Sequence, residues 1–151
     1  MNKVKNIVIY TILIATYLSA AEFKNHTFSI GFGDDKTGIS LISYKYNIKK
    51  DSLNEYFIGA GTALLAFTGS VGWEHTYKKS KHWTSAIILS EQAIAHLGFT
   101  GLFTKISITS SIKLTNFLDF KMGFNAGIGV RIDEPKISPI AYPFSGFDFN
   151  F

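Results

Sequence analysis

The sequence has no cysteine, few prolines and few charges, and each shortage excludes a class of protein. The 151 residues include no Cys and only three Pro. Without Cys the chain has no disulfide scaffold, no thiolate metal site, no thiol nucleophile and no lipid anchored on a cysteine. Charged residues make up 17%, whereas a soluble domain more often has about a quarter. Aromatic residues reach 15%, with 14 Phe and 7 Tyr.

The first 21 residues have the pattern of a secretory signal peptide. Lys3 and Lys5 precede an uncharged, mostly apolar run at 7–18, and small residues follow at 19–21. This is the order of charged region, apolar region and cleavage site in such peptides. The run is shorter than the ~20 residues that a helix needs to cross a bilayer, so an uncleaved anchor is the weaker alternative. We predict cleavage after Ala21, with Ala20 as the second choice.

Cleavage would divide the chain into a signal peptide at 1–21 and a single domain at 22–151. Loss of the two N-terminal lysines lowers the formal charge from +4 to +2. No basic patch then remains that would indicate nucleic-acid binding. We therefore expect a secreted protein without a nucleic-acid partner.

The rest of the chain alternates between apolar and polar residues with the period of two that is typical of β-strands. Eight candidate strands fall at 27–33, 42–48, 55–67, 71–77, 83–90, 99–109, 118–131 and 145–151. The predicted connections are 34–38, 49–54, 68–70, 78–82, 91–97, 110–116 and 133–143. The segment 91–97 is ambiguous between a loop and one helical turn. At ~9–11 residues for each membrane strand, eight strands fit the predicted domain.

The alternation has two interpretations, which differ in what the apolar face contacts. In a soluble sheet it packs into a core, and in a membrane barrel it faces lipid while the polar face lines the interior. The polar faces here are mostly Gly, Ser, Thr and Asn, which suit the crowded interior of an eight-stranded barrel. We therefore predict an all-β fold, an eight-stranded antiparallel up-and-down transmembrane β-barrel.

Charges of both signs lie on the polar faces, and we assign them to the barrel interior. These residues are Lys45, Glu74, Lys105, Asp119, Lys121, Arg131 and Asp148. Paired interior charges are reasonable because an unpaired buried charge is costly. The alternative is that some of them lie at strand ends in water.

Aromatic residues near the predicted strand ends suit a membrane–water interface, where Trp and Tyr are enriched. They are Tyr44, Tyr46, Trp73, Tyr77 and Trp83. Aromatic residues also favour strands in general, so this pattern supports the membrane interpretation only modestly.

The C-terminal segment 144–151 resembles the closing strand of small, eight-stranded bacterial outer-membrane β-barrel proteins. Gly146, Phe147, Phe149 and Phe151 match the pattern of that family, and Phe144 departs from it because a polar residue is common there. The resemblance implies a protein of the Gram-negative outer membrane whose closing strand is the signal for the barrel assembly machinery. It also implies periplasmic termini, with 34–38, 68–70, 91–97 and 133–143 facing outward. Outer-membrane lipid and lipopolysaccharide would be the surroundings of a monomer.

Candidate catalytic residues do not form a recognisable set. The family includes lipid A deacylases, but their His-x-Ser pair is absent, and the adjacent Glu74 and His75 point to opposite faces of a strand. Ser90, Glu91 and His96 could converge in a loop. Nothing in the sequence requires that convergence, so we assign no catalytic residue.

Metal and cofactor sites are equally weak. His75 and His82 flank one predicted turn, and Asp34 with Asp35 could bind a divalent cation that bridges lipopolysaccharide. A solvated turn is the simpler interpretation of the two aspartates, so we assign no metal and no cofactor.

The sequence therefore predicts a structural or envelope-related barrel with a narrow, plugged polar interior, and leans away from an enzyme. Two alternatives stay open. One is a lipid A-modifying enzyme on the same barrel, and the other is a secreted, soluble β-barrel that binds an apolar ligand.

Overall fold

The computed structural model describes residues 25–134 and 136–151, so the predicted signal peptide at 1–21 lies outside the described residues. Eight strands occupy this part of the chain: β1 (His26–Phe32), β2 (Ile42–Lys50), β3 (Asn54–Ala63), β4 (Ala66–Lys79), β5 (Trp83–His96), β6 (Phe99–Lys113), β7 (Leu118–Arg131) and β8 (Ile137–Asn150). The described residues include no helix that is long and apolar enough to cross a membrane.

The strands form one closed barrel in which each strand is antiparallel to the next in sequence. β1 closes the ring against β8, with Thr27 opposite Asn150 and Phe32 opposite Ser145. The prediction of an all-β fold with eight antiparallel up-and-down strands is confirmed. We call the end that carries His26 and Asn150 the terminus end, and the opposite end the loop end.

Side chains alternate between the outside and the inside of the barrel, as the period of two requires. On β5, Ile87 and Leu89 are exposed while their neighbours Ile88 and Ser90 are buried. Among the described residues, five hydrophobic side chains are buried, against twenty that are polar or charged. The barrel therefore has a largely polar interior and an apolar outer surface.

Several connections differ from the predicted ones, and the one between β3 and β4 carries no typical turn residue. β3 and β4 are joined at Leu64 and Leu65, with Leu64 at a φ of 54°, and not at 68–70, which is strand. The predicted connection at 91–97 is wrong, because β5 continues to His96 and turns at 97–98. β6 continues to Lys113. The turn that follows it is therefore 114–117, whereas the prediction placed it at 110–116.

The last connection is also shorter than predicted. β8 begins at Ile137, so the predicted loop at 133–143 is mostly strand and contains Pro139 and Pro143. Proline is confined to strand edges or ends because it has no N–H to donate. Its presence inside a strand of 14 residues is tolerated because β8 has no partner on one side between residues 137 and 144.

Strand lengths are unequal around the ring. β1 has 7 residues and β2 has 9, whereas β4, β5, β7 and β8 each have 14 and β6 has 15. β1 pairs with β8 only between Ser145 and Asn150. The loop-end half of β8 therefore continues beyond the end of β1.

Candidate functional site in the barrel interior

The connection between β1 and β2, residues 33–41, folds into the barrel, and we call it the plug. Asp34 is 2% exposed and Thr37 is fully buried. The Oδ1 atom of Asp34 accepts hydrogen bonds from the backbone N–H groups of Lys36 and Thr37, both at 2.8 Å. Gly38, with a φ of 75°, supplies the left-handed conformation that closes the turn. The interpretation of Asp34 and Asp35 as a solvated turn is therefore wrong, because both are buried.

Two lysines from opposite parts of the chain bind the carboxylates of the plug. The Lys121 Nζ lies 2.8 Å from Asp34 and 2.6 Å from Asp35. The Lys45 Nζ lies 3.2 Å from Asp34. Asp148 contacts both lysines, at 3.2 Å from Lys45 and 3.0 Å from Lys121. Three carboxylates and two ammonium groups thus form one buried cluster, in which each charge has an opposite charge nearby.

A third lysine binds the backbone of the plug instead of its carboxylates. Lys105 donates to the carbonyl oxygens of Asp34, at 3.2 Å, and of Asp35. Asn125 donates to the same Asp34 oxygen at 3.2 Å, and Ser107 donates to the Asp35 oxygen at 3.0 Å. β6 and β7 therefore satisfy the carbonyl groups that the inward turn removes from water.

The plug also reaches the opposite side of the ring. Lys36 forms ion pairs with Glu74 at 2.7 Å and with Glu55 at 3.2 Å, and its Nζ lies 4.9 Å from the centre of the Phe57 ring. Gln92 on β5 donates to the carbonyl oxygen of Thr37. When these contacts are added to those of Lys45, Lys105 and Lys121, side chains of every strand from β2 to β7 bind the plug.

The predicted interior charges divide into three groups by position. Lys45, Lys105, Lys121, Glu74 and Asp148 all lie around the plug. Asp119 lies near the terminus end, where its Oδ2 accepts a hydrogen bond from Asn150 at 2.9 Å.

Arg131 lies at the loop-end terminus of β7, away from the plug. Its side chain is 40% exposed, and its guanidinium is 3.8 Å from Asp133 and 3.6 Å from Glu134.

The predicted interior charges did not include the plug residues Asp34, Asp35 and Lys36, or Glu55. The available signal was an acidic pair between Gly33 and Gly38, in a chain with several lysines on its polar strand faces. That pattern does not distinguish an exposed turn from a buried one.

The plug separates two unlike halves of the interior. On the terminus side lies a polar cavity of about 220 Å³, bordered by Lys45, Glu55 and Asp119 among others. On the loop side the interior is filled by a largely apolar layer that includes Phe103 and Ile140 and leaves a cavity of only about 10 Å³. The interior is therefore closed between its two ends.

The candidate catalytic residues do not converge. Ser90 is buried inside the barrel, whereas the carboxylate of Glu91 is outside and accepts hydrogen bonds from the Thr104 hydroxyl at 2.8 and 3.0 Å. His96 is the last residue of β5. The proposed loop that would have joined these residues is a strand, so Ser90 and Glu91 point to opposite faces.

One of the candidate metal ligands, His75, contacts an amide group instead. Nδ1 of His75 is 3.0 Å from the Asn54 amide oxygen. In the described ranges no group of three or more His, Asp or Glu residues could hold a metal ion.

Aromatic side chains cluster on the outside at the terminus end. The rings of His26 and Tyr46 lie 5.0 Å apart where β1 begins. Trp73 stacks on His75, and its indole N–H donates to Asn54, the first residue of β3, at 3.2 Å. Trp83 is the first residue of β5. Aromatic rings with a polar edge therefore surround much of this end.

Comparison with known proteins gives no relative for this chain: no family model, no curated protein and no solved structure matches it.

Proposed function

We propose that this chain is an outer-membrane β-barrel of a Gram-negative bacterium with a structural, envelope-related role. The observation that carries the proposal is the distribution of polarity, with charges inside and large apolar side chains outside. Exposed residues include Leu102 (53%), Ile106 (48%), Ile108 (56%), Phe124 (48%) and Ile128 (55%), which lie side by side on β6 and β7. A contiguous apolar surface of this kind marks contact with lipid or another protein.

Lipid explains the outer surface better than a soluble environment does. In water, exposed apolar area costs roughly 25 cal/mol per Å², and here large apolar side chains are exposed on the outer faces of β6 and β7. A soluble barrel that binds an apolar ligand would need an apolar interior, whereas this interior holds the charged plug. The polar interior therefore favours the membrane proposal over the soluble alternative.

The terminus end carries features that suit a lipid–water interface. Lysines cluster in and beside its three turns, at Lys49, Lys50, Lys78, Lys79, Lys81 and Lys113. The amides of Leu53 and Asn54 donate to the carboxyl of Asp51 in the first of these turns, and these hydrogen bonds lower its pKa. Together with the aromatic rings nearby, this end suits the polar boundary of a membrane, which we assign to the periplasmic side.

The closed interior supports a structural role over a pore. An eight-stranded barrel leaves just enough interior for side chains, and here the plug fills its centre. We expect a monomer surrounded by lipid and lipopolysaccharide, assembled by the barrel assembly machinery through Gly146, Phe147, Phe149 and Phe151. Replacing Phe151 with Ser should lower the amount of assembled protein in the outer membrane. An unchanged amount would contradict the assembly signal.

A lysine substitution on the outer wall tests the proposal directly. Ile106 and Leu114 are exposed to similar extents, at 48% and 52%, but Ile106 lies in mid-strand and Leu114 in a turn. If the wall faces lipid, Ile106→Lys should destabilise the barrel by about 2–4 kcal/mol, and Leu114→Lys by about 1 kcal/mol or less. Urea unfolding of protein refolded into vesicles measures both.

Cell fractionation completes the test. The protein should be found in the outer-membrane fraction as a heat-modifiable band on gels. A water-soluble periplasmic protein that tolerates Ile106→Lys without loss of stability would overturn the proposal.

A further inference from the structure

The wall of the barrel has a gap at the loop end, which we call the notch. It lies beside β8 residues 137–144, because β1 ends at Phe32 and β2 begins only at Ile42. The chain between these two residues turns inward as the plug and adds no strand to the wall. The missing wall is thus the direct consequence of the inward turn.

Proline protects the strand edge that borders the notch. His26 and Phe151 exchange both backbone hydrogen bonds, at 3.2 and 2.8 Å. Hydrogen-bonded pairs recur at every second residue of an antiparallel pair, so odd-numbered residues of β8 direct their N–H groups towards β1. Pro139 and Pro143 are odd-numbered and face the notch, where they have no N–H. Addition of another strand to this edge would therefore lack two donors.

One apolar residue of the plug is exposed at the loop end. Ile39 is 45% exposed. Ile39 also borders the apolar layer inside the barrel, together with Ile140 and Tyr142. At this position the interior layer is therefore reached from outside without crossing a strand.

An apolar groove on the outer surface extends the notch. It has a volume of about 390 Å³ and is lined by Phe32, Met122, Pro143, Phe144 and Ser145, together with Gly123. Phe32 is 70% exposed. Pro143 belongs to both the groove and the edge of the notch, so the two form one continuous surface.

We propose that the notch and its groove bind one acyl chain of a membrane lipid, which contacts Ile39 of the plug. This inference rests on the proposed function, since it requires lipid around the barrel. An acyl chain needs no hydrogen-bond donor from the edge, whereas a partner strand does, and the prolines remove those donors. Phe32, Met122, Pro143 and Phe144 in the groove and Ile39 in the notch offer apolar side chains, which match a hydrocarbon chain in chemistry.

Fluorescence quenching by lipid tests this binding. Because the chain has no Cys, single labels can be attached at Ile39→Cys in the notch, Ala141→Cys on the outer face of β8, and Thr109→Cys inside the intact wall. Each labelled protein is refolded into phosphatidylcholine vesicles with or without a nitroxide on the acyl chain. Urea melts confirm that each variant is folded.

We expect the label at Ile39 to be quenched as strongly as the label at Ala141. Because the wall separates lipid from the polar interior, quenching at Ile39 should exceed that at Thr109 by about threefold or more. Quenching at Ala141 without quenching at Ile39 would overturn this inference and leave the proposed function intact. Shielding of Ile39 accompanied by disulfide formation between copies of unlabelled Ala141→Cys protein would also overturn it, in favour of a second copy. An unquenched Ala141 would overturn the proposed function and this inference together.

Discussion

Removal of the Asp34 carboxylate should destabilise the barrel strongly. The side chain is 2% exposed. Its Oδ2 atom lies 2.8 Å from Lys121 and 3.2 Å from Lys45. Its Oδ1 atom accepts two backbone hydrogen bonds that shape the plug. Asp34→Asn keeps an oxygen for the backbone donors and removes the charge, whereas Asp34→Ala removes both.

The magnitudes follow from these contacts. Loss of one partner from a buried ion pair costs about 3–5 kcal/mol, and we expect about 3 kcal/mol for Asp34→Asn because Asp35 and Asp148 still neutralise the lysines. Asp34→Ala should cost about 2 kcal/mol more, since each lost backbone hydrogen bond contributes about 1 kcal/mol. The two variants thus separate the charge from the turn.

Equilibrium unfolding in urea, with the protein in vesicles and Trp fluorescence as the signal, measures both changes. Asp133→Asn is the matched control, because Asp133 is 44% exposed and 3.8 Å from Arg131. It should change the free energy of unfolding by less than about 1 kcal/mol. If Asp34→Ala were no more destabilising than the control, the plug would not be held by its ionic contacts and the reasoning would be refuted.

Two further substitutions test the wall and the packing inside it. Glu91→Leu removes a carboxylate from the outer face, where Thr104 binds it, and should stabilise the protein in vesicles by less than about 2 kcal/mol; a loss of stability would contradict a lipid-facing position. Gly31→Ala should cost about 1–3 kcal/mol, because its Cβ would lie 2.4 Å from the Cα of Gly146. Gly69→Ala is the control, since no atom lies within 4 Å of its Cβ, and equal effects of the two alanines would show that the close approach is not rigid.

The number of strands and their faces could be predicted because alternation is a local property of the sequence. The residues of each strand show by themselves which of its faces is polar. That face can therefore be assigned without knowledge of the partner strands or of the fold. The predicted boundaries were wrong where local chemistry is misleading. Thr68-Gly69-Ser70 looks like a turn but lies in β4, whereas the true turn at Leu64 and Leu65 consists of apolar residues.

The plug could not be predicted because its position depends on distant residues. Asp34 contacts Lys121 across 87 residues of sequence. An acidic turn next to glycine has the same local pattern whether water or lysine surrounds it. The inward charges of both signs indicated that pairing was needed, but not that Asp34 and Asp35 would be among the partners.

The plug has a consequence for the order in which the barrel can be completed. Its acidic turn lies near the start of the chain, and Lys121 on β7, which neutralises it, comes 86 or more residues later. Asp148 on β8, which binds both lysines of the cluster, comes later still. Closing such long loops is slow, because their entropy is lost before the contacts form. A sheet that lacks its last two strands would carry the buried charges of the plug without Lys121 and Asp148. The ionic cluster therefore stabilises only the complete ring. Insertion of the plug and closure of the ring by β8 should then occur as a single cooperative event.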